Sequence, residues 1–230
     1  MDFSFFDTYH MHLKSLFTHI GWDNFLSLNQ PQYSTLVRHL YTHFTHHNFD
    51  SIASYVKGKE IQITRDLLSS IFKIPHGEVH HFETNTWIPI DGFNPLTALR
   101  QIFHDNSIES LIKPTLSELT VEHRIIHHLI THNIDHKAGS SDYLFHFENF
   151  LLWGILNGIK LDLPYYMICH MDDCVKKKKG TLPNGLHITS ILQQFQIPLN
   201  GEKDICKIIP HDTYSTKTMK QIHYILQNGI

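Results

Sequence analysis

The side chains of this chain that could do chemistry are first of all its histidines, 21 of them against 19 Lys and Arg and 22 Asp and Glu. Two imidazoles four residues apart share one face of a helix, the placement a metal ion needs from a pair of ligands. His39/His43, His123/His127, His128/His132 and His132/His136 have that spacing. None lies in an HExxH context, so each pair would need a third ligand from elsewhere in the fold. In so histidine-rich a chain, pairs at this spacing also arise by chance. The same residues would gain charge together below pH about 6, which is what a pH sensor uses, although surface histidine needs no such role. An AT-rich coding sequence would also give this abundance of His, Asn, Ile, Lys, Phe and Tyr.

Cys169, His170 and Cys174 form a second cluster, and they are the candidate metal ligands. His170 and Cys174 are one helical turn apart. A structural zinc site takes four ligands, and the candidates for the fourth, Cys206 and His211, lie far along the chain. The alternative is that the thiols pack as small apolar groups. The spacing differs from the C-x2-C-x4-H-x4-C knuckle of nucleocapsids. Asp172-Asp173 has the order of a polymerase-palm aspartate pair, but that pair needs a β-hairpin, a third carboxylate and metals, and the flanks here read as helix. Asp212-Thr213 is followed by Tyr214 where an aspartic-protease loop has Gly. There is no phosphate-binding GxxxxGK[ST] loop, no GxGxxG turn and no GxSxG elbow. No catalytic constellation results, and the expectation is a non-enzyme without a cofactor. The remaining charged feature is Lys176, Lys177, Lys178 and Lys179. Four lysines at a helix C-terminus complement its dipole. They are also the candidate contacts to nucleic-acid phosphate, or an import signal, though without interleaved arginines or aromatics.

The elements that must position these residues are mostly helical. Tyr55–Ile74 reads as strand, Lys57-Gly58-Lys59 turn, strand and helix: Ile61 and Ile63 alternate with polar neighbours, and Leu67, Leu68, Ile71 and Phe72 form a stripe behind Thr64 as N-cap. Pro75 marks the end of that helix. Further helices are predicted over Ser4–Ile20, Ser34–His46, from Pro95, over Leu116–Asn133, Asp142–Gly158, Tyr165–Lys178 and Leu186–Phe195. The segment from Asp142 is apolar on most sides and reads as the buried centre. His76–Asn94 reads as a loop anchored by Trp87 and Phe93. The expected fold is a single mostly α domain over residues 1–200 with a small β-hairpin near residues 54–63. A polar tail over 201–230 follows, with one short helix at Thr216–Leu226.

Composition excludes several classes. A hydrophobic fraction of 41% with 12% aromatics is that of a folded chain, and a net charge of −3 does not demand an anionic partner. Three cysteines without repeated CxxC spacing suit a reducing compartment. The opening residues MDFSFFDTYHMH lack the basic and apolar regions of a signal peptide, and the greasiest run, Phe150–Leu156, is too short to span a bilayer. The expected location is intracellular, nuclear or cytoplasmic, with no membrane partner.

An ordered series of blocks resembles a known family. Trp22, then Pro31-Gln32-Tyr33 leading into Leu36-Val37-Arg38-His39-Leu40-Tyr41, is followed by the Val56–Ile63 hairpin, Trp87-Ile88-Pro89, Gly92-Phe93-Asn94-Pro95 and Leu119-Thr120. Phe150-Leu151-Leu152, Ile155–Gly158, His170–Cys174, Leu182–Gly185 and Ile188-Thr189 complete it. Over roughly residues 20–200 the series is similar to the "Putative plant transposon protein" domain, and more distantly to the plant mobile domain; His136 stands where the family often has Pro. The resemblance implies a plant protein derived from a transposable element, with no catalytic residues to carry over. The expected function is a non-catalytic helical interaction module, self-associating and capsid-like. The alternatives are a nucleic-acid-binding accessory protein and a metal-dependent nuclease or transposase.

Overall fold

Ser51–Val56 and Lys59–Thr64 pair because Lys57 (φ +49°) and Gly58 (φ +79°) both take a left-handed backbone between them. A two-residue turn of that kind matches the twist of the strands it joins. Ile52, Val56, Ile61 and Ile63 are buried, while Tyr55, Glu60 and Gln62 face solvent. The computed structural model describes residues 3–7, 11–48, 50–82, 86–111, 114–135, 142–177, 182–207 and Met219, with backbone alone at His46 and His47.

In chain order the elements are α1 (Ser4–Asp7), α2 (Leu13–His19), α3 (Asp23–Leu26), β1 (Gln32–Tyr33), α4 (Ser34–Thr42), β2 (Thr45–Asn48), β3 (Ser51–Val56), β4 (Lys59–Thr64), α5 (Arg65–Phe72), α6 (Pro95–Phe103), a 3-10 turn (Leu116–Glu118), α7 (Val121–Asn133), α8 (His146–Leu156), α9 (Leu163–Lys177), α10 (Gly185–Gln194) and β5 (Ile205–Cys206). The fold is mostly α. β2, β3 and β4 form an antiparallel sheet in that order, and β1 pairs with β5.

Helix starts follow local chemistry. The Thr64 hydroxyl accepts from the Leu67 amide at 3.1 Å, and Asn94 Oδ1 accepts from Thr97 at 2.9 Å with Pro95 at the first helical position. Thr120 Oγ1 accepts from the His123 amide at 3.3 Å. α8 has Phe147, Phe150, Leu151, Leu152 and Ile155 fully buried, and α6 and α7 pack against it. Phe93 is wedged edge-on against Phe150 at 5.2 Å, and the half-buried Trp87 meets His146 at 4.3 Å.

Several boundaries differ from the sequence reading. The first helix is two, α1 and α2, with Met11 and His12 outside helix; the break lets both Phe6 and Leu13 reach the core. α4 stops at Thr42, and residues 45–48 join the sheet as a third strand. Asn48 Oδ1 makes this turn by accepting from the amides of Asp50 (2.8 Å) and Ser51 (3.0 Å). α5 ends on Lys73 in the left-handed region, two residues before Pro75. α8 begins at His146 because Tyr143 and Leu144 are held extended against residues 114–116. The tail contributes β5. The helix expected at Thr216–Leu226 lies outside the described residues except for Met219, which is helical and buried.

Candidate functional site

A group of charged side chains from three separate elements meets where the sheet, α5 and α9 join. Arg65 opens α5, one residue past its cap. Asp50 sits in the β2–β3 turn, and Asp162 immediately precedes α9. Gly77 makes the last position possible: a Cβ there would collide with the backbone of Lys160, Leu161 and Asp162. With glycine, Glu78 N reaches Lys160 O at 3.1 Å and Asp162 N reaches Val79 O at 2.9 Å.

Asp162 is fully buried, yet its oxygens are occupied. Oδ1 accepts from the Tyr165 amide at 2.9 Å, capping α9, and Oδ2 accepts from Arg65 Nη2. Arg65 Nη1 donates to Asp50 Oδ1 at 2.8 Å, so one guanidinium forks between two carboxylates from different elements. Burial pulls the Arg65 pKa down, but the hydrogen bonds and charges of Asp50 and Asp162 outweigh it and raise it overall. The Tyr165 ring lies 5.8 Å from the guanidinium carbon. His76 stands alongside, with Nε2 3.0 Å from Asp66 and Nδ1 3.8 Å from Asp162. Asp50, Arg65, Asp66 and His76 border an open hollow of about 570 Å³ with Ser51 and Thr64. The cation between the two carboxylates is the guanidinium itself, so the arrangement clasps three elements.

A second pair is buried in the helical core. His127 Nε2 lies 3.0 Å from Glu148 Oε2, and the same oxygen accepts from the Phe145 amide at 2.9 Å. His127 therefore points into α8, while its partner in the predicted metal pair, His123, turns Nδ1 to Ile102 O at 2.7 Å. The His128 and His132 rings stack at 3.7 Å, and burial lowers the His128 pKa to about 4. His132 Nδ1 and His43 Nδ1 each lie within hydrogen-bond distance of the carbonyl four residues back, at 2.8 and 3.1 Å. His136 lies outside the described residues. His12, His19 and His123 share a shallow hollow of about 500 Å³ with Glu122 and Asn157.

The three candidate ligands on α9 point to different neighbours. Cys169 is buried beside Tyr165, and burial pushes its thiol up to about 12. His170 is buried 4.0 Å from Asp135, and burial lowers its pKa. Cys174 is half-buried beside Tyr41 on α4, and burial raises its pKa. Among the described residues, no three His, Cys, Asp or Glu side chains converge as a metal would require. Of the lysine run, Lys176 is 2.5 Å from Asp172 and Lys177 is 2.6 Å from Asp173, each one helical turn back. Lys178 and Lys179 lie outside the described residues. Sequence reasoning missed both buried pairs. The available signals were Glu148 inside an apolar helix, which demands a partner, and Asp162 just ahead of Leu163-Pro164, which reads as a cap.

Fold and site together define a helical scaffold with a small sheet whose buried charges join one element to another. The family described as "Putative plant retrotransposon-related domain" matches residues 18–198, and the chain belongs to it. It is a transposable-element-derived protein. No curated protein and no solved structure matches it. Among the described residues, no helix is long and apolar enough to cross a membrane.

Proposed function

We propose that this chain is a non-catalytic helical interaction module that associates with copies of itself, in the manner of a capsid-like scaffold. One observation carries the reading: the two fully buried carboxylates are matched to partners on other elements, Asp162 to Arg65 and Glu148 to His127. Ionisable groups so matched fix geometry; a catalytic acid or base needs a proton it can exchange with substrate. Residues 1–200 act as the module, with 201–230 as an appended tail. The free thiols Cys169, Cys174 and Cys206 suit an intracellular setting, nuclear or cytoplasmic.

Light scattering on the eluting protein tests this over a range of concentrations, with and without EDTA. A mass that rises with concentration and ignores EDTA is expected. A monomer at every concentration would overturn self-association, and metal-dependent cleavage of DNA would overturn the non-catalytic part. The nucleic-acid-binding alternative rests on Lys176–Lys179. The ion pairs of Lys176 and Lys177 to Asp172 and Asp173 weigh against it, because a carboxylate at each ammonium offsets its attraction for phosphate.

A further inference from the structure

β5 has no counterpart in the sequence reading, lies beyond the family match, and still finds a specific seat. Ile205–Cys206 pairs antiparallel with β1, Gln32 opposite Cys206 and Tyr33 opposite Ile205. The Ser34 amide extends the ladder to Asp204 O at 3.0 Å. The seat is built from below. Thr189 of α10 donates its hydroxyl to Pro31 O at 2.7 Å, and the Gln32 side chain lies over Gly185, where a Cβ would collide with it. Charge marks both ends of it. Arg38 on α4 pairs with Asp204 at 2.6 Å, and Lys57 at the hairpin turn pairs with Glu202 at 2.6 Å while also reaching Pro198 O. A fixed, basic-flanked strand edge thus receives a segment whose two carboxylates, Glu202 and Asp204, meet the flanking cations.

The segment itself is held lightly. Residues 203–207 are exposed, Ile205 among them at 40%. The named strands are two residues each, far short of what stabilises an isolated pairing. The link to α10 runs through Asn200 and Gly201, where φ is +87° and nothing crowds the α-carbon. Contacts of this kind are the same whether the segment comes from its own chain or from a second copy, which is what makes exchange a low-cost route to a dimer.

We propose that the β1 edge, with Arg38 and Lys57, is an acceptor for the Glu202–Cys206 segment of a second copy, and that two chains associate by exchanging these segments about Gly201, together with the chain beyond them that carries the buried Met219. This rests on the self-association read above and names its contact. Within one chain a short linker holds the segment at an effective concentration on the order of millimolar, so the closed monomer dominates in dilute solution. The exchanged dimer takes over where copies are crowded, as within an assembly.

Charge exchange provides the test. Arg38→Glu alone and Asp204→Arg alone each place like charges together, whether the segment stays home or swaps with an identical copy. Mixing the two variants restores opposite charges in both seats, but only between unlike chains. The expected result is a dimer fraction in the mixture several-fold above that of either variant alone, with the heterodimer as the added species, read by light scattering and native mass spectrometry. A second measurement uses Gln32→Cys, which faces Cys206 in register. Mild oxidation should give an intramolecular disulfide when dilute and a linked dimer near 1 mM, against the unsubstituted chain oxidised in parallel. If dimers form but the disulfide stays intramolecular and mixing adds nothing, this contact is wrong while self-association stands. If the chain is monomeric throughout, both fall.

Discussion

Two arginine–aspartate pairs tie distant parts of this chain together, and they differ in their access to water. Arg65–Asp162 joins α5 to the start of α9 with the aspartate side chain at 0% exposure. Arg38–Asp204 joins α4 to the tail with side chains at 59% and 52% exposure. The chemistry is the same, but the buried carboxylate has no solvent to turn to if its partner leaves, whereas the exposed one does. The first pair therefore works as a fixed joint of the scaffold and the second as a latch that can open.

The strongest way to break the contrast is Asp162→Ala, which removes the ion pair and the α9 cap together. It should cost about 3–5 kcal/mol, since it leaves a partly desolvated guanidinium with Asp50 alone and the Tyr165 amide without its cap. That lowers the melting temperature by roughly 10 °C in circular dichroism for a chain of this size. Asp162→Asn should cost less, because it can still cap Tyr165. In a double-mutant cycle with Arg65→Leu the losses should be well short of additive. Additive losses would mean the two side chains do not act as one joint.

Acid gives the next largest effect, and it concerns the interior alone. His187 is buried on α10, stacked on Phe25 at 3.9 Å and edge-on to Phe72, and burial lowers its pKa to about 3 against the upward pull of a hydrogen bond to the Phe25 backbone. A group whose folded pKa is depressed gives full stability above its unfolded value and loses it as pH falls toward the folded value. The window runs from about 6.5 down to about 3. Between pH 7 and 4.5 the loss from His187 alone should be about 2–3 kcal/mol in urea-unfolding free energy. His187→Leu should flatten that slope, whatever it does to stability at pH 7. An unchanged slope would place the acid sensitivity elsewhere, with His128 the next candidate.

Thr64→Ala sharpens the comparison from beside Arg65. It deletes the cap of α5 without touching the guanidinium, and should cost about 1 kcal/mol, as should Asn94→Ala at the start of α6. A loss at Thr64 near that of Asp162 would mean the joint depends on where α5 begins more than on the charges that follow.

How legible these regions were in the sequence follows the same division between local and distant causes. The hairpin, the cap at Thr64 and the buried character of α8 come from neighbours in sequence, and the local pattern exposes them; the cap at Thr120 escapes it, the helix being read from Leu116. β2 was hidden because its residues continue the helical pattern of α4 until Asn48 turns the chain. The buried pairs depend on contacts 97 residues apart for Arg65 and Asp162 and 21 apart for His127 and Glu148, which no window can show. His123/His127 misled for a related reason: the spacing puts both imidazoles on one face of α7, but each finds its partner on a different helix. The family was legible from the order of its blocks, because that order survives where individual blocks are generic.

The smallest expected effect closes the comparison from the exposed side. Arg38→Ala removes the Asp204 partner, yet both side chains are more than half exposed, so water and salt already screen the attraction. The loss in global stability should be under about 1 kcal/mol and should vanish near 0.5 M salt. The loss from Asp162→Ala should survive that salt, because its carboxylate is out of reach of counterions. Hydrogen exchange at the Ser34 amide, which donates to Asp204 O, should nonetheless speed up in Arg38→Ala, since local opening of the strap needs far less energy than unfolding the core. Were Ser34 to exchange as slowly in the variant as in the parent, the strap would be held by its backbone ladder and Arg38 would not be the latch.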